Sequence, residues 1–209
     1  MVHMNRLLDS IKQTVRAQMR IIAVFLNKIS GGKITPNMIT ITGLVAHFSI
    51  AYLIARQSFI WAGLFLIIFG LFDALDGALA RVQGSTNKKG MLLDSVTDRV
   101  KEVALYTGIA YAFISMGNAY FAVWAVIACG ISVIVSYINA WGEVVIKENK
   151  TKDHATNKSF RAGFMTFEVR MLTLIIGLLT GYLEVSVVFV AVFGLFTAIE
   201  RFRLITQKL

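Results

Sequence analysis

The sequence predicts an all-α, polytopic integral membrane protein, with six transmembrane helices and an N-terminal amphipathic helix lying in the membrane interface. Three observations carry this expectation. The 209 residues are 56% hydrophobic, with a mean hydropathy of +0.68, more apolar than an ordinary soluble domain. Several windows approach the roughly 20 apolar residues that span a bilayer. The 21 Lys and Arg outnumber the 12 Asp and Glu, and they gather at one side of the apolar windows. That distribution turns a net charge of +9 toward a membrane surface and away from nucleic acid. The single Cys and single Pro exclude a disulfide scaffold and proline-rich linkers. Cys129 lies in an apolar run and reads as a small packing residue.

Two regions follow, an arm over 1–34 and a membrane domain over 35–209. In the arm, Leu7, Leu8, Ile11, Val15, Met19 and Ile22 recur every three or four residues, so one helix face is apolar. Arg6, Lys12, Arg16, Arg20, Lys28 and Lys33 accompany it, as in a basic helix on a lipid surface; a helix packed on a partner chain is the other reading. No cleavable signal is expected, because the first strongly apolar run, Met19 to Leu26, is short and follows charges. Ser30-Gly31-Gly32 ends the arm. Spans are expected near 36–56, 59–80, 90–115, 119–147, 167–181 and 184–204. Pro36 suits the first turn of the first span.

The connections near 56–59, 116–119 and 181–183 are short and hold one base, Arg56. The opposite side carries the arm, Arg81, Lys88, Lys89, the polar segment 147–161, Arg201, Arg203 and Lys208. The positive-inside rule then puts both termini on the cytoplasmic face of the plasma membrane. The segment 147–161 is too hydrophilic to bury and is expected to form a cytoplasmic loop.

The stretch from Phe72 to Arg99 carries the chemistry. Asp73, Asp76, Asp94 and Asp98 stand at the polar ends of two apolar segments. A charge in a membrane helix costs about 2.5–3.5 kcal/mol on insertion scales. Asp73 and Asp76 are three apart, Asp94 and Asp98 four apart, so each pair shares a helix face. Gly84, Ser85, Thr86, Asn87 and Gly90 between them are turn residues. Two helices joined by a short loop can therefore bring the pairs face to face. Carboxylates suit Mg²⁺ or Mn²⁺, and two such ions form the usual clamp for phosphoryl chemistry. Simple capping or solvation of the acids is the bland alternative. His3, His47 and His154 have no metal partner at a usable spacing.

Asp73-x-x-Asp76-Gly77-x-x-Ala80-Arg81, eight residues, Gly90, three residues, Asp94, three residues and Asp98 resembles the CDP-alcohol phosphotransferase signature at every position. The layout is nearest to the phosphatidylinositol-phosphate synthases of that family. The resemblance implies transfer of a phosphatidyl-type group from a CDP-linked lipid to a small alcohol, with release of CMP. It implies Asp73, Asp76, Asp94 and Asp98 as ligands of two ions, with Asp98 also the general base. Asn37, Met38, Ile39, Thr40, Gly77, Ala80, Arg81, Asn87 and Gly90 then fall in the donor-binding set. Capping by Asn37–Thr40 and snorkelling by Arg81 are the competing accounts. Members are commonly homodimers.

For the acceptor, the resemblance points to Ser136, Asn139, Arg170 and Arg201. The two arginines favour a phosphorylated alcohol, such as inositol phosphate or glycerol phosphate; positive-inside anchoring competes. There is a departure: relatives that use inositol phosphate read Ser-Tyr-Ile-Lys-Ala-Arg where this chain reads Ser136-Tyr137-Ile138-Asn139-Ala140-Trp141. Two expected cations are missing, so unphosphorylated acceptors such as serine or inositol stay open. The donor is expected to be CDP-diacylglycerol or a CDP-linked archaeal lipid. A membrane polyprenyl transferase and a divalent-cation transporter are the rival readings of paired aspartates in membrane helices.

Overall fold

The computed structural model describes residues 2–148 and 163–207, with side chains over 13–145 and 163–207. Most of the segment expected as a cytoplasmic loop, 147–161, lies outside the described residues, as do Lys208 and the side chains of the arm's first third. The described residues form eight helices and no strand: α1 (Val2–Ser30), α2 (Pro36–Ala55), α3 (Phe59–Gly70), α4 (Phe72–Val82), α5 (Lys88–Ser115), α6 (Ala119–Glu148), α7 (Phe167–Thr180) and α8 (Leu183–Thr206).

Local chemistry sets the ends. Thr35 Oγ1 accepts the Met38 N–H at 3.3 Å and Pro36 opens α2, where its missing N–H costs nothing. Gly117, at φ +78°, ends α5. The N–H groups of Gly117 and Asn118 reach back to Ile114 and Phe113 at 3.0 and 2.8 Å, the bonding of a Schellman turn.

Among the described residues, four stretches are long and apolar enough to cross a membrane: Pro36–Ala55, Phe59–Val82, Ala119–Val145 and Leu183–Thr206. The other two expected spans fall short for separate reasons. Helix α5 carries Asp94, Asp98, Arg99, Lys101 and Glu102 within nine residues. Helix α7 has 14 residues, about 21 Å at 1.5 Å per residue, against a hydrocarbon core of about 30 Å.

The stretch expected as one helix over 59–80 is broken at Gly70–Leu71. Leu71 N–H bonds Ile68 O at 3.3 Å and Ala74 N–H bonds Leu71 O at 3.1 Å, both three-residue steps that tighten the turn. The break falls two residues before Asp73, so α4 sets the direction of its carboxylates independently of α3.

The chain forms two compact units, Met1–Ser49 with Phe65–Lys101, and Ile50–Leu64 with Glu102–Leu209. In the first, α1 packs on α4. Met19, Ala23, Ile39, Leu75, Ala78 and Leu79 form its core. Gln83 Nε2 ties the end of α4 to Asn27 Oδ1 at 2.9 Å and Ile34 O at 2.8 Å. Ile22, assigned by its period to the apolar face with Met19, is 41% exposed. It lies with Ile21, Val24, Phe25 and Ile29 on exposed parts of α1. Met19 and Ala23, four apart, take the face that packs on α4. On α2, Gly43 faces the start of α4: a Cβ there would be in ordinary contact with Phe72 Cβ, at 3.4 Å.

In the second unit α8 packs along α6 and against α7. Gly177 and Gly181 have a G-x-x-x-G spacing, yet both are used within the chain. Gly177 faces Ser186 and Leu183 of α8, and Gly181, at φ +78°, ends α7. Gly108 on α5 has no room for a side chain, since a Cβ would run into the carbonyl of Ala51. Gly108→Ala is expected to destabilise the protein by about 1–3 kcal/mol, read as an earlier thermal unfolding midpoint in detergent.

Candidate active site

Helices α4 and α5 and the loop between them build an acidic cluster. The turn at Gly84, φ +63°, reverses the chain. Ser85 N–H bonds Ala80 O at 2.9 Å. Asn87 caps α5, its Oδ1 accepting the Gly90 N–H at 2.8 Å, as an N-cap side chain does. This hairpin brings carboxylate oxygens of Asp73, Asp76 and Asp94 within 4.8 Å of one another. At that spacing each pair repels by about 3 kcal/mol at an effective dielectric of about 20.

Asp76, 5% exposed, is positioned from α2: Thr40 Oγ1 donates to its Oδ2 at 2.5 Å. Asp94 Oδ1 is buried and has no hydrogen-bond partner among the described residues. An unpaired buried carboxylate oxygen is costly, and a cation beside it would remove the cost. Three converging carboxylates, one of them with an orphaned oxygen, fit a hard divalent ion.

Asp98 stands beside this group of three. Its Oδ1 lies 3.4 Å from Lys101 Nζ and its Oδ2 3.8 Å from Arg99 Nη2. Lys101 also ion-pairs with Asp73, so one ammonium joins the first and fourth aspartates. Lys101 is 1% exposed. The sequence reading did not single it out, although Asp94, Asp98 and Lys101 recur at i, i+4 and i+7 on one face of α5.

The expected donor-binding residues divide. Asn37, Asn87 and Gly90 come together: a Cβ on Gly90 would lie 3.6 Å from Asn87 Oδ1 and 3.9 Å from Asn37 Oδ1. Arg81 is exposed and folds back along α4 over Gly77. Ala80 lies at the hairpin through its carbonyl. Met38 is exposed, whereas the Ile39 side chain is committed to the core.

The residues assigned to the acceptor lie in the second unit. Arg170 is buried and fully engaged. Its Nε and Nη2 donate to the two oxygens of Glu102 at 2.9 and 3.2 Å, its Nη1 to Met165 O at 3.1 Å, and its Nη2 also to Ser136 Oγ at 3.3 Å. Arg201, 7% exposed, donates to Val135 O at 3.3 Å. Asn139 keeps a buried Oδ1 with no hydrogen-bond partner among the described residues. Trp141 stacks parallel to Tyr137, at 2° between the ring planes. Sequence reasoning missed Glu102, whose signal was a lone acid four residues past Asp98 in a run turning apolar.

Residues 33–199 match the family described as CDP-alcohol phosphatidyltransferase, which is most of the chain. The chain belongs to the CDP-alcohol phosphatidyltransferase family. Among curated members, phosphatidylinositol phosphate synthase from Cutibacterium acnes is 33% identical over 121 residues, covering 56% of this chain and 58% of that one. Archaetidylinositol phosphate synthase from Pyrococcus horikoshii is 43% identical over 77 residues, covering 37% and 41%. The chain thus spans about half the length of these relatives. A crystal structure of Mycobacterium tuberculosis phosphatidylinositol phosphate synthase with CDP-DAG bound superposes with a TM-score of 0.75 at 25% identity, covering 90% of this chain and 92% of that one. Membership in the CDP-alcohol phosphatidyltransferase family sets aside the polyprenyl-transferase and transporter readings of the aspartates.

Proposed function

We propose that this protein is a membrane enzyme that transfers a phosphatidyl-type group from a CDP-linked lipid to an alcohol and releases CMP. The observation that carries the proposal is the convergence of Asp73, Asp76 and Asp94 beside the Gly77–Arg81 and Asn87–Gly90 pieces of the hairpin. The donor is CDP-diacylglycerol or its archaeal ether-lipid equivalent, in keeping with what the named relatives make. Asp73, Asp76 and Asp94 would hold a first Mg²⁺ or Mn²⁺, and Asp73 with Asp98 a second during turnover. The ions, when bound, supply charge stabilisation of the diphosphate and the departing CMP. Gly77, bare of a side chain, lets the nucleotide approach the backbone, and Arg81 offers a forked, charged contact to a phosphate. Asn37, Thr40, Asn87 and Gly90 line the donor side; Met38, Ile39 and Ala80 contribute through backbone. Asp98 accepts the proton of the acceptor hydroxyl as it attacks phosphorus.

Ser136, Asn139, Arg170 and Arg201 recognise the acceptor in this proposal. A phosphorylated alcohol, inositol phosphate or glycerol phosphate, is the first reading, with Arg201 as the principal cation. One observation favours a second, an unphosphorylated acceptor such as inositol or serine. The Glu102 carboxylate already neutralises Arg170, and Asn139 and Trp141 stand where cations were expected. A screen of acceptors with CDP-diacylglycerol and Mg²⁺, scored by CMP released, decides between them. No CMP with any acceptor would sink the proposed activity.

The proposal also holds all six spans in the membrane, with α5 and α7 shielded by neighbours, and α1 on the inner surface. Both termini and the aspartates face the cytoplasm, where nucleotide-activated lipids present their head groups. The assembly is a homodimer. Thr40→Val removes the hydrogen bond to Asp76 and is expected to weaken Mn²⁺ binding about 10–100-fold, the usual cost of losing a group that orients a metal ligand. A Mn²⁺ titration of the purified protein reads this directly.

A further inference from the structure

The aspartate cluster contains a cation of its own. Lys101 Nζ sits between Asp73 and Asp98, and its side chain is 1% exposed. A buried ammonium is tolerated only when paired, and both of its pairs are carboxylates of the cluster. It bridges the Asp73–Asp98 side, and Asp73 also converges with Asp76 and Asp94, which form the other side and make no ion pair with Lys101 among the described residues. The two sides therefore differ in charge: one has three carboxylates with a bare oxygen on Asp94, the other has an ammonium already in contact. A divalent ion entering the first side meets Lys101 only across Asp73. One entering the second must displace or repel Lys101.

We propose that Lys101 is a built-in counter-cation of this cluster. It reserves the Asp73–Asp98 side, so that the donor-free protein takes one divalent ion tightly, at Asp73, Asp76 and Asp94, and a second only weakly. The second ion then enters with the donor, whose diphosphate brings the negative charge that offsets the displaced ammonium. This inference rests on the metal-site reading above and deepens it by fixing an order of loading. Lys101 is a positioning residue in this scheme: it touches neither the diphosphate nor the acceptor, and acts through Asp73 and Asp98.

The test is a Mn²⁺ titration of the full chain in detergent without donor, reading free Mn²⁺ by its paramagnetic resonance signal. Wild type is expected to hold one tight Mn²⁺. Lys101→Met is expected to tighten the second site at least tenfold, and Lys101→Arg, which keeps the charge, to leave one. Two equally tight sites in wild type would overturn the proposal, as would identical titrations of wild type and Lys101→Met. If Lys101→Met does not fold, the wild-type stoichiometry decides by itself. Failure of the underlying metal site looks different: wild type would then bind no more Mn²⁺ than Asp76→Asn.

Discussion

Asp98→Asn is expected to lower CMP release by about 10²–10⁴-fold, the usual worth of a positioned general base, while the protein remains folded. Asn has the shape of Asp and keeps an oxygen that can accept from Lys101, which lies 3.4 Å from Asp98 Oδ1. It cannot accept the proton of the attacking hydroxyl. Asp98 also lies outside the group of three carboxylates that converge within 4.8 Å. The variant should therefore still bind its first Mn²⁺ with wild-type affinity. Asp76→Asn should lose both binding and turnover. Measuring CMP release together with Mn²⁺ binding, without and with CDP-diacylglycerol, on the same preparations separates a proton-transfer defect from loss of the first or the second ion. Full turnover by a folded Asp98→Asn protein would remove Asp98 from its assigned role.

Glu102→Ala should produce the largest loss of stability, about 3–5 kcal/mol. Its two oxygens accept from Arg170 Nε and Nη2, and the two side chains are 0% and 1% exposed. Removing one partner leaves the other as an uncompensated buried charge. Met165 O and Ser136 Oγ would still accept from Arg170, but neither carries charge. Replacing both, Glu102→Leu with Arg170→Met, should recover most of the loss, because a buried pair exchanged for apolar side chains of similar volume is often neutral. Denaturation in detergent of the two single variants and the double variant checks this. Equal destabilisation in the double and the singles would mean that the pair is not the source. The double variant also bears on the acceptor: if Arg170 still contributes to binding a phosphate, it should lose turnover with phosphorylated alcohols first.

Several elements could be read without coordinates because their causes are local. Helix α2 begins at Pro36 and α6 at Ala119, as placed from Pro and the apolar run. The spacings within Asp73–Asp76 and Asp94–Asp98 were enough to expect two carboxylate pairs, each on one helix face, since helix geometry fixes which residues share a side. The hairpin between them followed from Gly84 and Asn87, which supply a left-handed turn and an N-cap. What the periodicity left open is instructive. Ile22 follows Met19 in the apolar pattern, and α4 covers Met19 and Ala23 while Ile22 stays exposed. A helix with apolar residues on more than one side carries no mark of which side a neighbour will take. The break at Gly70–Leu71 was equally hidden, because an apolar run crosses it without a change in composition.

From its order of residues alone, this chain determined a helical membrane architecture, expected with six spans, and a set of aspartates suited to divalent ions, while the described residues hold four stretches of spanning length. Each of these depends on composition and spacing along a continuous stretch of chain. Only the tertiary structure decided which charges answer which. Lys101 meets Asp73, 28 residues away, and Glu102 meets Arg170, 68 residues away. Adjacent residues on one helix thus neutralise opposite charges in separate places. Coulomb attraction acts through space, and the sequence orders charges only along the chain.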